Sequence, residues 1–438
     1  MCLHHPARAP LLTALAPPTT GPHREFASRS GPTRSGVGTS VRRTQRAQPY
    51  RRITTGAAPG KPATTNVCRY LLLRPFPHRH TAYRVRFVSA SAPIQTAAWI
   101  APQLPHGGRV LLIRLSALGD VVFALATVAA LKTARPDLAL EFLVEDRFAA
   151  LLQNHPQLAR VHVFPRKHKL AILGSLLRLR RERFDLVLDL QGNQKSALHV
   201  RVVRATTKLG YAQPGAREGS HRAYDYAVPL PSPLPHRADM GYYLLAALGL
   251  SFTKAKPQIA VTTPPEDLLL ALPSPLVILH PGTSAFAAFK RWPIERFAEL
   301  AQRLCAQGFG VAVTYGPAER ELVAPIFAAA PAARPIDGSR LSLCGIAGVL
   351  ALARVVVAAD TGPLHIAAAL GVRVVALFGP KDVARYGPRA NGNTPQAVLF
   401  AEVPCRPCTR RDCASPQCVL RLTVVEVERA VLRVLKDA

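Results

Sequence analysis

Three short stretches of this chain place a carboxylate, a cation or paired hydroxyls beside a glycine directly after an apolar run. That is the arrangement expected where the strands of an open sheet deliver ligand-binding groups at their carboxyl ends. The first is Leu115-Ser116-Ala117-Leu118-Gly119-Asp120. It sets Asp120, flanked by Ser116 and Gly119, at a sheet mouth, where a carboxylate suits a general base or caps the helix that follows through its charge and side-chain oxygen. With a single glycine it is no GxGxxG turn, so a dinucleotide is not indicated. The second is His280-Pro281-Gly282-Thr283-Ser284, which runs through Lys290-Arg291-Trp292-Pro293 into a helix. Gly282 with the Thr283 and Ser284 hydroxyls forms a phosphate-cradling turn, and Lys290 and Arg291 supply charge suited to a diphosphate. No GxxxxGK[ST] is present, which argues against a nucleoside-triphosphate P-loop. The third follows the run Val355 to Ala359 and reads Asp360-Thr361-Gly362-Pro363-Leu364-His365. Asp360 and Thr361 can cap the next helix, and Gly362-Pro363 opens its first turn to a ligand, where free N–H groups suit phosphate. His365, one turn on, lines the site or packs. A further carboxylate, Glu319 or Glu321, stands beyond Tyr315-Gly316-Pro317 at another strand end, where it suits a ribose.

These loops require strands to carry them, and the pattern supplies strands alternating with helices from Arg109 onward. Strands are expected over 109–115, 138–144, 161–164, 185–190 and 206–209, with helices over 121–134, 148–154, 170–181, 193–203 and 240–248. After a stretch from Ser251 to Pro275 that carries five prolines and little periodicity, the alternation restarts: strands at 276–280, 310–315, 355–359 and 372–378, helices at 293–307 and 320–329, and a terminal helix over 423–435. The reading is α/β, with two doubly wound parallel-sheet domains facing a cleft. We place the first domain at 108–255, a linker at 256–275 and the second domain at 276–438.

Charge is uneven. Residues 1–107 hold fifteen Lys and Arg against one acid, Glu25, for a net charge of +14, which leaves +16 of the chain's +30 for the remainder. The first 107 residues read as a disordered basic extension, a mis-called start or a transit-like segment. No apolar run reaches the roughly 18–20 residues that span a bilayer. The basic remainder calls for an anionic partner: phosphate-bearing lipid, sugar nucleotide or nucleic acid. Against nucleic acid, there is no aromatic-interleaved basic strand and no zinc-finger spacing. Of eight cysteines, four cluster as Cys405-x2-Cys408-x4-Cys413-x4-Cys418. They suit either a metal or, at least as well on this spacing, reduced thiols or local disulfides in a loop. Arg166 to Arg183 is strongly basic and serves lipid phosphates or plain solubility.

Taken together, Ser116-x-x-Gly119-Asp120, His280-Pro281-Gly282-Thr283, Lys290-Arg291-Trp292-Pro293 and Asp360-Thr361-Gly362-Pro363-Leu364-His365 resemble glycosyltransferase family 9, the lipopolysaccharide heptosyltransferases. The likeness runs from about Arg109 to the end, and the cysteine cluster resembles a tail common in that family. The resemblance implies a GT-B fold whose first domain binds a lipid A-linked core acceptor through Ser116, Gly119 and Asp120. The second domain would bind ADP-heptose through Thr283, Ser284, Lys290, Asp360, Thr361, Gly362 and His365. It further implies that Asp120 is the base, that Lys290 stabilises the departing diphosphate, and that transfer inverts the anomeric carbon with no metal and no cofactor. The implied setting is the cytoplasm, with peripheral contact to the anionic inner-membrane surface and no nucleic acid. Three rival readings remain: a family member using another nucleotide sugar, a nucleotide-sugar epimerase built on the same fold, and a basic nucleic-acid- or metal-binding protein.

Overall fold

The computed structural model describes residues 104–436, apart from the side chain of Ala285. All but the last four residues of the basic extension 1–107 lie outside it. The first half runs β1 (Arg109–Ile113), α1 (Leu118–Ala134), β2 (Ala139–Glu145), α2 (Asp146–Ala149), β3 (Arg160–Phe164), α3 (Lys169–Arg181), β4 (Arg183–Asp189), α4 (Gln194–Val202), β5 (Arg204–Tyr211), β6 (Tyr226–Val228) and α5 (Met240–Ala247). After α6 (Glu266–Ala271), the second half runs β7 (Leu276–His280), α7 (Ile294–Ala306), β8 (Gly310–Tyr315), α8 (Arg320–Ala329), β9 (Arg334–Asp337), α9 (Leu343–Ala351), β10 (Val355–Ala359), α10 (Gly362–Ala369), β11 (Arg373–Leu377), α11 (Val383–Tyr386), β12 (Gln396–Leu399), α12 (Gln417–Leu420) and α13 (Val424–Lys436).

Each half forms a six-stranded, all-parallel sheet, ordered β3-β2-β1-β4-β5-β6 and β12-β11-β10-β7-β8-β9. Counted from its own first strand, each sheet has the order 3-2-1-4-5-6. In such a sheet the order of strands reverses between the first and fourth strands, and a crevice opens at their carboxyl ends. The three chemical loops of the sequence follow β1, β7 and β10, so all three sit at these two switch points.

Strands such as β10, Val-Val-Val-Ala-Ala, are apolar on both faces because both faces are covered, and all five residues are buried. In the first half, α1 and α5 cover one face, while Ile172, Leu179 and Val200 of α3 and α4 cover the other. In the second, α7, α8 and α13 pack on one face and α9 and α10 on the other. The halves meet along α1 and α10, where Val122 and Leu151 join the cluster that holds Leu364 and Ala368. The linker expected over 256–275 is not wholly irregular, since it contains α6 with its two acids in the first turn.

Candidate functional site

Asp120 lies in the first turn of α1, which begins at Leu118, three residues earlier than the apolar pattern suggests. It does not cap that helix: no side-chain cap is formed there. Instead, the carboxylate takes an ion pair from Arg114 at 2.6 Å and another from Arg237 at 3.2 Å. Burial works against its charge, but the two guanidinium groups outweigh burial and hold the carboxyl well below the usual range. The competing physical demand falls on Arg114, where burial pulls the guanidinium down. Neither arginine was singled out in the sequence. Arg114 had a signal, a charge at the end of the run Val110 to Ile113, whereas Arg237 lies 117 residues from Asp120 and had none.

The β1–α1 loop is held from below by the end of β4. Gln191 accepts the Leu115 and Ser116 N–H groups at 2.7 and 3.2 Å. Asp189, fully buried, fixes Gln191 and Gly192 through their N–H groups and also accepts from Ser196 and Tyr224, each at 2.7 Å. A buried carboxylate so fully partnered is a structural brace.

In the second half, the Lys290 ammonium is ion-paired with one oxygen of Asp360, and His365 Nε2 approaches the other at 3.3 Å. Burial raises the Asp360 carboxyl, but the His365 hydrogen bond and the Lys290 charge prevail and lower it. Thr361 stands at the N-cap position of α10 but donates its hydroxyl to Ala359 O at 3.2 Å, and no side chain caps the helix. The capping role that sequence allowed for Asp360 and Thr361 is therefore not taken up, because the ammonium and imidazole hold the carboxylate. Thr283 is buried and Ser284 exposed at the lip. Arg291 donates to the Thr283 hydroxyl at 3.2 Å and its carbonyl at 3.3 Å, bracing this turn instead of projecting a charge. Trp292, wholly buried, donates to Leu422 O at 2.9 Å and anchors the segment behind Lys290. Of the two glutamates, Glu319 folds onto this site. Its carboxylate accepts from Gly316 N at 2.8 Å and lies over Gly282, where a Cβ would meet it at 2.2 Å, while Glu321 is exposed on α8.

The two clusters adjoin because α1 and α10 touch at their first turns. A Cβ at Gly119 would sit 2.4 Å from His365 Cδ2, and one at Gly362 would sit 2.4 Å from a Leu118 methyl. Glycine at both positions is thus what allows this approach. The Phe123 ring meets His365 edge-on at 4.6 Å and His236 at 5.1 Å. From Asp120 to Lys290 the path runs through Gly119, His365 and Asp360. A cavity of about 610 Å³, lined by Phe123, Tyr242, His365 and Arg389 among others, extends from this junction between the halves. That is ample for a small ligand.

The sequence model of glycosyltransferase family 9 (heptosyltransferase) matches residues 175–418. Lipopolysaccharide heptosyltransferase 1 of Pseudomonas aeruginosa is 36% identical over 320 residues, which span 70% of this chain and 87% of that protein. The chain belongs to glycosyltransferase family 9. Lipopolysaccharide heptosyltransferase 1 of Escherichia coli K12 is 29% identical over 294 residues, 64% of this chain and 90% of that one. Among solved structures, E. coli heptosyltransferase WaaC with ADP superposes with a TM-score of 0.61 at 25% identity, covering 74% of this chain and 99% of that chain. E. coli ADP-heptose lps heptosyltransferase II gives 0.61 at 22% identity over 75% and 99%. The fold is accordingly GT-B, and the protein is a glycosyltransferase of the heptosyltransferase family.

The cysteine cluster lies on the loop that packs behind the Lys290 segment, where a Cβ at Gly379 would meet both Cys418 Sγ and Lys290 Cα at 3.8 Å. Cys405, Cys408, Cys413 and Cys418 are free thiols, with Cys418 buried and Cys405 and Cys413 exposed. Among the described residues, no group of three His, Cys, Asp or Glu is gathered to hold a metal ion.

Proposed function

We propose that this protein moves a heptose from ADP-heptose to the inner core of lipopolysaccharide, on a Kdo-lipid A or heptosyl-Kdo-lipid A acceptor, with inversion and without metal. One observation carries the reading: the loops after β1, β7 and β10 all lie at the switch points of two facing sheets, in a chain 36% identical to lipopolysaccharide heptosyltransferase 1 of P. aeruginosa.

The acceptor hydroxyl oxygen forms a bond to the anomeric carbon as that carbon's bond to the diphosphate oxygen breaks. The hydroxyl proton passes to Asp120, and ADP departs with the electron pair. Held ionised by Arg114 and Arg237, Asp120 is in the proton-accepting form at neutral pH. As a weak base it acts late, when the forming bond has made the hydroxyl acidic. The diphosphate gathers charge as it leaves, and Lys290 with the N–H groups opening α10 offsets that charge. Thr283, Ser284, Thr361 and Gly362 seat the phosphates, and Glu319 over Gly282 suits a ribose hydroxyl. Asp360 and His365 set the position of Lys290 and border the sugar, while Ser116 and Gly119 border the acceptor. A lipid-borne acceptor places the work at the cytoplasmic side of the inner membrane; no helix among the described residues is long and apolar enough to cross it.

The test incubates the purified full chain with ADP-heptose and truncated lipid acceptors and reads the products by mass spectrometry. A product heavier by one heptosyl unit is expected, together with loss of turnover by about 10²–10⁴-fold in Asp120→Asn. Consumption of the donor without an acceptor would instead indicate an epimerase, and absence of transfer from any nucleotide sugar would reject the reading.

A further inference from the structure

Helix α3 is apolar on two faces, one more than a helix on the outside of a sheet requires. Its inner face, Ile172, Ser175 and Leu179, packs toward the first sheet, and Ser175 and Leu179 are buried. Its outer face carries Leu170, Leu173 and Leu177, exposed to 85%, 53% and 50%. These stand at i, i+3 and i+7, so they form one continuous stripe on the side facing solvent. Cations border the stripe on every side. Lys167 and Lys169 precede it, Arg178 and Arg180 flank it and Arg181 continues its line, all of them exposed. The acid that follows it in the chain, Glu182, is occupied by Arg109 and Arg160 at 2.8 and 2.9 Å.

Exposed leucines cost solubility, and a merely solvated basic face has no use for three in register. Leucines between cations match a surface that is apolar inside and anionic at its boundary, as where a helix lies flat in the headgroup layer of a membrane. Placement agrees with this. α3 begins after β3 on the carboxyl edge of the first sheet, the same edge that carries the Asp120 loop.

We infer that α3 is a membrane-docking helix, which inserts Leu170, Leu173 and Leu177 among the acyl chains of an anionic leaflet while the surrounding Lys and Arg bind its phosphates. The inference deepens the functional reading, and rests on it only for the purpose of docking, which is to bring the first domain to a lipid-borne acceptor.

The experiment uses the full chain and vesicles that contain no acceptor, one set of phosphatidylcholine alone and one with about a third phosphatidylglycerol, read by co-sedimentation. Binding to the anionic vesicles is expected. It should fall at least about tenfold in Leu170→Gln/Leu173→Gln/Leu177→Gln, and by a similar factor in Arg178→Gln/Arg180→Gln/Arg181→Gln or at high salt. Because all six side chains are exposed, both variants should keep the parent melting temperature. They should also keep the parent rate on a deacylated, water-soluble acceptor. Anionic-vesicle binding unchanged in the leucine variant overturns the inference. So does a dimer of the parent that the leucine substitutions dissociate without loss of vesicle binding, which would assign the face to a second copy. Failure of transfer to the soluble acceptor would count against the heptosyl reading alone, since the vesicles report on α3 independently of it.

Discussion

Gly119→Ala places one methyl group at the junction on which the whole site depends. The new Cβ would lie 2.4 Å from His365 Cδ2, about 1 Å inside the ordinary carbon contact of roughly 3.5 Å. His365 has little freedom to retreat, because it is 5% exposed, holds Asp360 at 3.3 Å and faces the edge of Phe123 at 4.6 Å. Two effects oppose each other. Replacing glycine by alanine in a helix stabilises it by about 0.5–1 kcal/mol, whereas overpacking a close contact costs about 1–3 kcal/mol. The net change is a destabilisation of about 0–2 kcal/mol, within reach of thermal melting and far from unfolding the chain. The effect on turnover should be larger in proportion, since α1 carries Asp120 and His365 holds the carboxylate that positions Lys290. A displacement of about 1 Å between reacting groups costs on the order of 10²-fold. Steady-state transfer from ADP-heptose should therefore show kcat lower by about 10- to 100-fold with a melting temperature within a few degrees of the parent. Parental kcat together with an equal or higher melting temperature would refute the reasoning, since helix propensity would then have won and the α1–α10 contact would not set the geometry.

Lys290→Ala should lower kcat by about 10²–10³-fold through loss of leaving-group stabilisation, and should also cost about 1–3 kcal/mol in a urea melt because the partly buried Asp360 loses a charged partner. Arg237→Ala removes one of the two guanidinium groups that depress Asp120, so the carboxyl should rise toward its ordinary value and the acid limb of the pH–rate profile should move to higher pH; an unmoved limb would mean that Asp120 does not govern that limb. Asp120 and Asp360 are both depressed in the fold, so the stability they contribute is present above the unfolded carboxyl value near about 4 and lost as pH falls through the lower folded values. A urea midpoint that is flat from neutral pH to about 5 and declines only in the acid range is expected, and Asp120→Asn should flatten that decline.

The strands that bear chemistry were legible because each is a short, wholly apolar run, the signature of a parallel strand covered on both faces, and each ends abruptly at polar residues. β7, β8 and β10 fall at the positions read from the sequence. The strands left unread are edge strands or nearly so. β9 is Arg-Pro-Ile-Asp, β6 is Tyr-Ala-Val and β12 is Gln-Ala-Val-Leu, all too short for periodicity, and each pairs at the edge of its sheet. The helix α9, Leu-Cys-Gly-Ile-Ala-Gly-Val-Leu-Ala, is nearly uniform in hydrophobicity and buries most of its length, so it too shows no periodic face. Asp120, Lys290 and Asp360 could be singled out because the local chain places them directly after strands or on the connection into a helix.

Sequence alone determined which residue types stand at the carboxyl ends of the strands, since an apolar run followed by a glycine and a charge is a local pattern that survives in any compact arrangement of these strands. It also determined that two such sheets are present, and the family to which their loops belong. What each side chain does with its charge was decided only by the tertiary structure. Asp120 could be a cap or a free carboxylate until Arg237, from the far end of the first half, was brought onto it, and Arg291 could project toward a phosphate until Thr283 turned to meet it. Electrostatic partners within a few ångströms set ionisation and aim, and their distance in space is fixed by packing between elements that the chain order leaves far apart.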